Sequence, residues 1–177
     1  TKGPQKVVEE KDSDFMNLYK HSPQEIKERL ERKLQIVEEL KISNPAVKLS
    51  KGQISFLREC KECLRNAIKA VTDDKKDLFK GIRLTLSGDL FLGENDGDQV
   101  DGYGVLLTNK NELIEGKFSK GVIQKGKIKV LYANGEYYVG DAKQGGVRDG
   151  DGVHYYANGD IYDGELLDNQ RFGRSRL

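Results

Sequence analysis

A glycine followed by a charged residue recurs through the second half of the chain at a nearly fixed interval. The segments SGDLFLGE, KNELIEGK, NGEYYVGD and NGDIYDGE place this glycine at Gly93, Gly116, Gly140 and Gly164, at intervals of 23, 24 and 24 residues. A fixed period of this length means stacked units, each too small to bury a core without its neighbours. A second mark follows at a steady offset: DGYGVLL from 101, KGKIKVLY from 125, DGDGVHYY from 149, and the stub FGRSRL from 172. The four glycines are therefore read as structural positions of the repeat.

The two halves of the chain are built on different plans. Of 20 glycines, 17 follow residue 81, with 10 of the 14 aromatic side chains. Residues 1–81 hold 18 basic and 14 acidic side chains, and residues 82–177 hold 12 and 15. Neither half has the basic excess of a nucleic-acid-binding domain, so no nucleic-acid partner is expected. No stretch approaches the roughly 20 apolar residues of a membrane span, and the charged opening TKGPQKVVEEKD is no signal-peptide core. The expected location is the cytoplasm. A start at Thr1 and a stop inside the fourth repeat suggest a piece of a longer protein.

Residues 1–21 are polar and without period, and read as a flexible lead-in. At Ser22-Pro23-Gln24-Glu25 a capping box with proline at the first helical position opens a helix. Ile26, Leu30, Leu34, Val37 and Leu40 recur at helical spacing, and the helix should end near Asn44-Pro45. Ser50 with Gln53 starts a second helix, running to about Val71. Its apolar side chains, Ile54 and Cys63 among them, cover an arc of about 200°, too wide for one neighbour. The short connection makes residues 22–71 an antiparallel helical hairpin that leads into and caps the repeats. Residues 72–81 read as a linker, pinned by Leu78 and Phe79.

From Ile82 the period becomes alternating. Asn134-Gly135 and Asn158-Gly159 lie between apolar or aromatic runs and predict two-residue hairpin turns. Residues 82–177 are thus expected to form an elongated, single-layer antiparallel meander of about eight strands, giving an α+β fold. Its main packing mass would be aromatic.

The pattern aromatic-x-Gly-acid, followed by Gly-x-Gly and then Asn-Gly, resembles the MORN repeat. It stands most fully as Tyr138-Val139-Gly140-Asp141 with Gly150-Asp151-Gly152 and Asn158-Gly159, and again at Tyr162-Asp163-Gly164-Glu165. Unit one matches through Phe91-Leu92-Gly93-Glu94 with Gly102-Tyr103-Gly104. Unit two departs most, having Ile114-Glu115-Gly116-Lys117 and Gly126-Lys127-Ile128. The resemblance covers residues 88–177 and nothing before residue 82. It implies groove-bearing sheets of repeated hairpins, acting as scaffolds, dimerisation modules or targeting segments at membranes and cytoskeletal structures, sometimes attached to lipid kinases. It carries over no catalytic residue and no cofactor.

The expected function is accordingly a non-enzymatic scaffold with a protein partner. Tyr103, Tyr137, Tyr155 and Tyr162 are the candidate contact residues, and a homodimer is a further partner to test. The alternatives are a regulatory segment of a larger lipid kinase or methyltransferase-like enzyme, and direct binding of anionic phospholipid. The lipid reading rests on Lys117, Lys120, Lys125, Lys127 and Lys129, the concentrated charge of the repeat half. Three such lysines near an anionic bilayer contribute about 1 kcal/mol each. Against it, a 24-residue shift sets Lys125 level with Asp101 and Asp149, and Lys127 level with Asp151, so internal pairing is favoured.

Three further patterns fail as sites. Cys60 and Cys63 lack a second ligand pair for zinc, and their helical context reads them as packing residues. The two histidines, His21 and His154, sit in no ligand motif. Asn95–Asp101 fits no calcium-loop frame, and Gly145–Gly150 precedes no helix that would make it a phosphate loop.

Overall fold

Alternating side chains from Ile82 onward can bury one set on each side of a sheet. In the computed structural model, which describes residues 15–16, 22–39, 48–73, 81–85, 88–96 and 99–176, they do so. After the helices α1 (Pro23–Glu39) and α2 (Lys51–Thr72) come β2 (Ile82–Thr85), β3 (Leu90–Asp96), β4 (Gln99–Leu107), β5 (Leu113–Ser119) and β6 (Val122–Ile123). There follow β7 (Gly126–Leu131), β8 (Tyr137–Lys143), β9 (Val147–Tyr155), β10 (Ile161–Leu167) and β11 (Gln170–Phe172). The strands pair antiparallel in sequence order, with β6 branching off β5. The fold is α+β, a helical hairpin followed by a β-meander, as expected.

The lead-in is not wholly outside this order. Its residues Phe15–Met16 form a short strand, β1, paired with β2. Leu40, the helix end near Asn44-Pro45, and the linker residues Leu78 and Phe79 lie outside the described residues.

The hairpin turns differ from expectation. Gly135 N–H donates to the Tyr132 carbonyl, and Gly159 N–H to that of Tyr156. Only the glycines, at φ +89° and +94°, take the left-handed conformation; Asn134 and Asn158 do not. A two-residue turn of the mirror type needs both central residues there, so these are three-residue loops closed by a glycine bulge. At the first turn Asn111, at φ +65°, fills the glycine role.

Cross-strand register assembles two ladders, one on each face. Leu90, Leu107, Leu113, Leu131, Tyr137, Tyr155 and Ile161 stand directly opposite one another on successive strands. On the other face the sequence is Phe91, Leu106, Ile114, Val130, Tyr138, His154 and Tyr162. The first ladder shares a core with the helices, whereas the second packs in a cluster drawn from the sheet alone. Phe91 and Phe118 meet edge to face in that second cluster at 5.0 Å.

The helices lie over a face of the array rather than across its end. Ser22 Oγ accepts the Glu25 N–H at the start of α1, and Ser50 with Gln53 completes the full capping box of α2. Gln53 also donates from Nε2 to the Gly135 carbonyl, and Lys33 donates to that of Thr108. These bonds pin the hairpin to the turns that follow β4 and β7. Phe56 meets Tyr137 with ring centroids 6.0 Å apart. The broad arc of α2 is thus shared between α1 and several units, although Ile54 and Cys63 fall outside it and are exposed. Over this part the helices add a second layer to a meander that is itself one sheet, as expected.

Candidate interaction surface

The repeat's glycines form a floor for its aromatics. Gly93 pairs with Gly104 and Gly104 with Gly116, while Gly152 pairs with both Gly140 and Gly164. The Tyr138 ring lies on the Gly140–Gly152 pair so closely that a Cβ at Gly152 would sit 2.4 Å from its Cε1. Tyr138 and Tyr162 each donate their hydroxyl, at 2.6 Å, to the carbonyl three residues on, those of Asp141 and Glu165. In unit two, where the aromatic is missing, Ile123 of β6 crowds Gly116 instead.

The acid of the repeat has an equally structural task. The register slips after Gly93 and after Gly140, forming bulges. Glu94 Oε1 accepts the Tyr103 N–H at 3.0 Å, and Asp141 Oδ2 accepts the Asp151 N–H at 3.1 Å. A carboxylate in this position satisfies an amide that the slipped ladder leaves without its partner. Lys127 bonds Asp141 and, with the Asp151 amide, holds its carboxyl below the usual range. In units one and three Gly-acid therefore marks a bulge, whereas Gly164-Glu165 sits in an unbroken ladder.

The lysines of unit two divide. Lys127 Nζ lies 2.7 Å from Asp141, and Lys129 lies 3.8 Å from Glu115. Pairing is internal, as favoured, but the partners are the residues directly opposite on adjacent strands. A 24-residue shift points instead to the next strand but one, whose backbone lies about 10 Å away. Lys117, Lys120 and Lys125 make no ion pair among the described residues, and Lys117 and Lys125 share an open cleft with Glu94 and Asp101.

The four tyrosines expected to meet a partner have different fates. Tyr137, 2% exposed, is buried under α2, and Tyr162, 3% exposed, is buried in the second cluster. Neither ring is free for a partner: the helices cover Tyr137, and Tyr162 is packed among side chains of the sheet itself. Tyr155 is half-buried beside Tyr137. Tyr103 is 54% exposed.

What the sequence did not single out is the uncovered end of the first ladder. Leu113 and Tyr137 are 2% exposed, but their repeat equivalent Ile161 is 45% exposed, and no β10 residue belongs to the core shared with the helices. Val153, Tyr155, Ile161 and Leu167 share this face with Asp151, Asp163 and Glu165 by strand alternation. The chain's own Arg176 lies against it, bonded to both Asp151 and Asp163. The repeat period places Ile161 on the first ladder, at the same position as Leu113, but does not set its exposure.

Cys60 sits in the packed face of α2, where burial, with Cys63, Glu115 and Glu59 nearby, pushes its thiol up and keeps it protonated. Among the described residues no group of three or more His, Cys, Asp or Glu is placed to hold a metal. No described helix is long and apolar enough to cross a membrane. No protein-family model matches the chain, and no curated protein matches it.

Proposed function

We propose that this chain is a non-enzymatic scaffold module of the MORN type, holding a protein partner on the sheet face that its own helices leave bare, in a cytoplasmic setting at a membrane or cytoskeletal structure. The observation that carries this reading is the half-covered ladder. Two amphipathic helices of the chain occupy its first rungs, and the same apolar surface continues to Tyr155 and Ile161 with carboxylates beside it. Exposed apolar side chains grouped on a sheet face are a common mark of docking surfaces. Most of the repeat's glycines, the aromatics Phe91, Tyr138 and Tyr162, and the acids Glu94 and Asp141 are engaged in packing, bulges or turns, which supports an architectural role.

The test compares proteins captured from cell extract by the wild type, by Ile161→Asp/Leu167→Asp, and by Lys117→Gln/Lys125→Gln. A partner lost with the first variant and retained by the second supports the proposal. A set of captured proteins unchanged by the first variant overturns it.

A second reading, attraction to anionic lipid, is favoured by the unpaired Lys117, Lys120 and Lys125. Salt-sensitive flotation with phosphatidylserine vesicles, abolished by Lys117→Gln/Lys125→Gln, would support it.

A further inference from the structure

One rung of the second ladder breaks its chemistry. His154 occupies the repeat position that holds Leu106 in unit one and Val130 in unit two, and it is 3% exposed. Its Nδ1 lies 2.9 Å from Arg148 Nη1, and its Nε2 lies 3.0 Å from Glu136 Oε1. A guanidinium can only donate, so Nδ1 accepts and the ring's single proton sits on Nε2, donating to Glu136. The imidazole is thus held neutral in one tautomer, between a cation and an anion.

Both neighbours reach beyond it. Arg148 donates from Nε and from its backbone N–H to Asn169 Oδ1, and from Nη2 to the Asn169 carbonyl. Asn169 N–H returns a bond to the Arg148 carbonyl. Asn169 and Asp168 form the β10–β11 turn at φ +69° and +49°, a conformation that non-glycine residues keep only where surrounding bonds hold it. Glu136 Oε2 meanwhile accepts the Ala157 N–H in the β9–β10 turn. The β7–β8, β9–β10 and β10–β11 turns are therefore linked through one buried ring.

We propose that Glu136, His154 and Arg148 form an acid-released latch: a proton taken up at His154 Nδ1 displaces the Arg148 guanidinium and frees the β10–β11 hairpin from β9. The groups facing the imidazole are few. The β7–β8 turn supplies Glu136 and the neutral Tyr132, β8 supplies Tyr138, and β9 and its turn supply Arg148 and Tyr156. Tyr162 of β10 stands directly opposite, and Arg171 of β11 stacks over Tyr156 and Tyr162. One carboxylate against two guanidiniums leaves an imidazolium poorly matched. Burial first, then Arg148 and Arg171 against Glu136, lower its affinity for a proton below the ordinary histidine value of 6.5. The opened state takes the proton more readily, so closure is fully favoured above pH 6.5 and weakens as pH falls below it.

The test is hydrogen exchange by mass spectrometry on the whole chain at pH 7.5, 6.5 and 5.5, corrected for intrinsic exchange. Opening of residues 164–173 should rise by up to about tenfold per pH unit below about 6.5, the limit for one linked proton, while β3–β5 stay unchanged. His154→Gln, which can accept and donate without titrating, should remove the dependence. A flat wild-type profile, or a His154→Gln profile as steep as wild type, overturns the latch. The chain has two histidines, so the wild-type imidazole can also be followed by NMR without any variant. A midpoint below 6.5 that coincides with opening supports the proposal, and titration at 6.5 or above overturns it.

Discussion

Gly152→Ala adds one methyl group where the structure leaves no room. The new carbon would lie 2.4 Å from both Cε1 and the hydroxyl of Tyr138, and 2.6 Å from Cζ. Gly152 is not among the positive-φ glycines, so the substitution adds crowding without backbone strain. The ring must tilt off the sheet. Overpacking of this kind costs about 1–3 kcal/mol, and loss of the Tyr138 hydroxyl bond to the Asp141 carbonyl adds about 0.5–1.5 kcal/mol. A total of about 1.5–4.5 kcal/mol follows, at roughly 2–4 °C of melting temperature per kcal/mol for a chain of this size. The assay is urea and thermal unfolding followed by circular dichroism, run as a cycle with Tyr138→Leu. With the ring gone, Gly152→Ala should cost less by at least about 1 kcal/mol, a coupling typical of residues in contact. A single variant within about 0.5 kcal/mol of wild type, or two costs that simply add, would refute the view that these glycines exist to seat the aromatic ring.

Gly164→Val should likewise lose more than about 1 kcal/mol, because its Cβ would meet the Tyr162 hydroxyl at 2.7 Å; an unchanged melting temperature contradicts this. Residues 82–177 expressed alone should self-associate in light scattering, since Leu90, Leu107, Leu113, Leu131 and Tyr137 lose the cover of α1 and α2, and a stable monomer would count against that cover. Changing Lys125, Lys127 and Lys129 together to glutamine should cost about 0.5–1.5 kcal/mol from the pairs with Asp141 and Glu115 and leave binding to anionic vesicles flat; intact stability with lost vesicle binding reverses the assignment. Asp141→Asn should be less stable than wild type above about pH 4. That difference should shrink as pH falls, because the Asp141 carboxyl is held below its ordinary 3.8 by Lys127 and the Asp151 amide, and a difference independent of pH would contradict this cause.

Spacing alone determined much of this protein. The 24-residue period, the change from helical to alternating apolar residues at Ile82, and the capping signals at Ser22 and Ser50 are local. Local sterics and hydrogen bonding are sufficient to specify helices, strands and their order. The lysine partners were misread because a repeat shift finds the next identical strand, whereas Lys127 and Lys129 pair with the strands adjacent to their own. The turn type was misread because Asn-Gly fits two loop lengths, and in each turn the positive φ falls on the glycine alone, Gly135 and Gly159. Leu113, Tyr137 and Ile161 are equivalent in the repeat, yet only Ile161 is open. No periodicity within residues 82–177 encodes that difference, since it depends on where a hairpin from the other half of the chain comes to rest. The same holds for His154, a lone histidine in sequence, which joins Glu136, Arg148 and Asn169 only when cross-strand register brings four distant positions together.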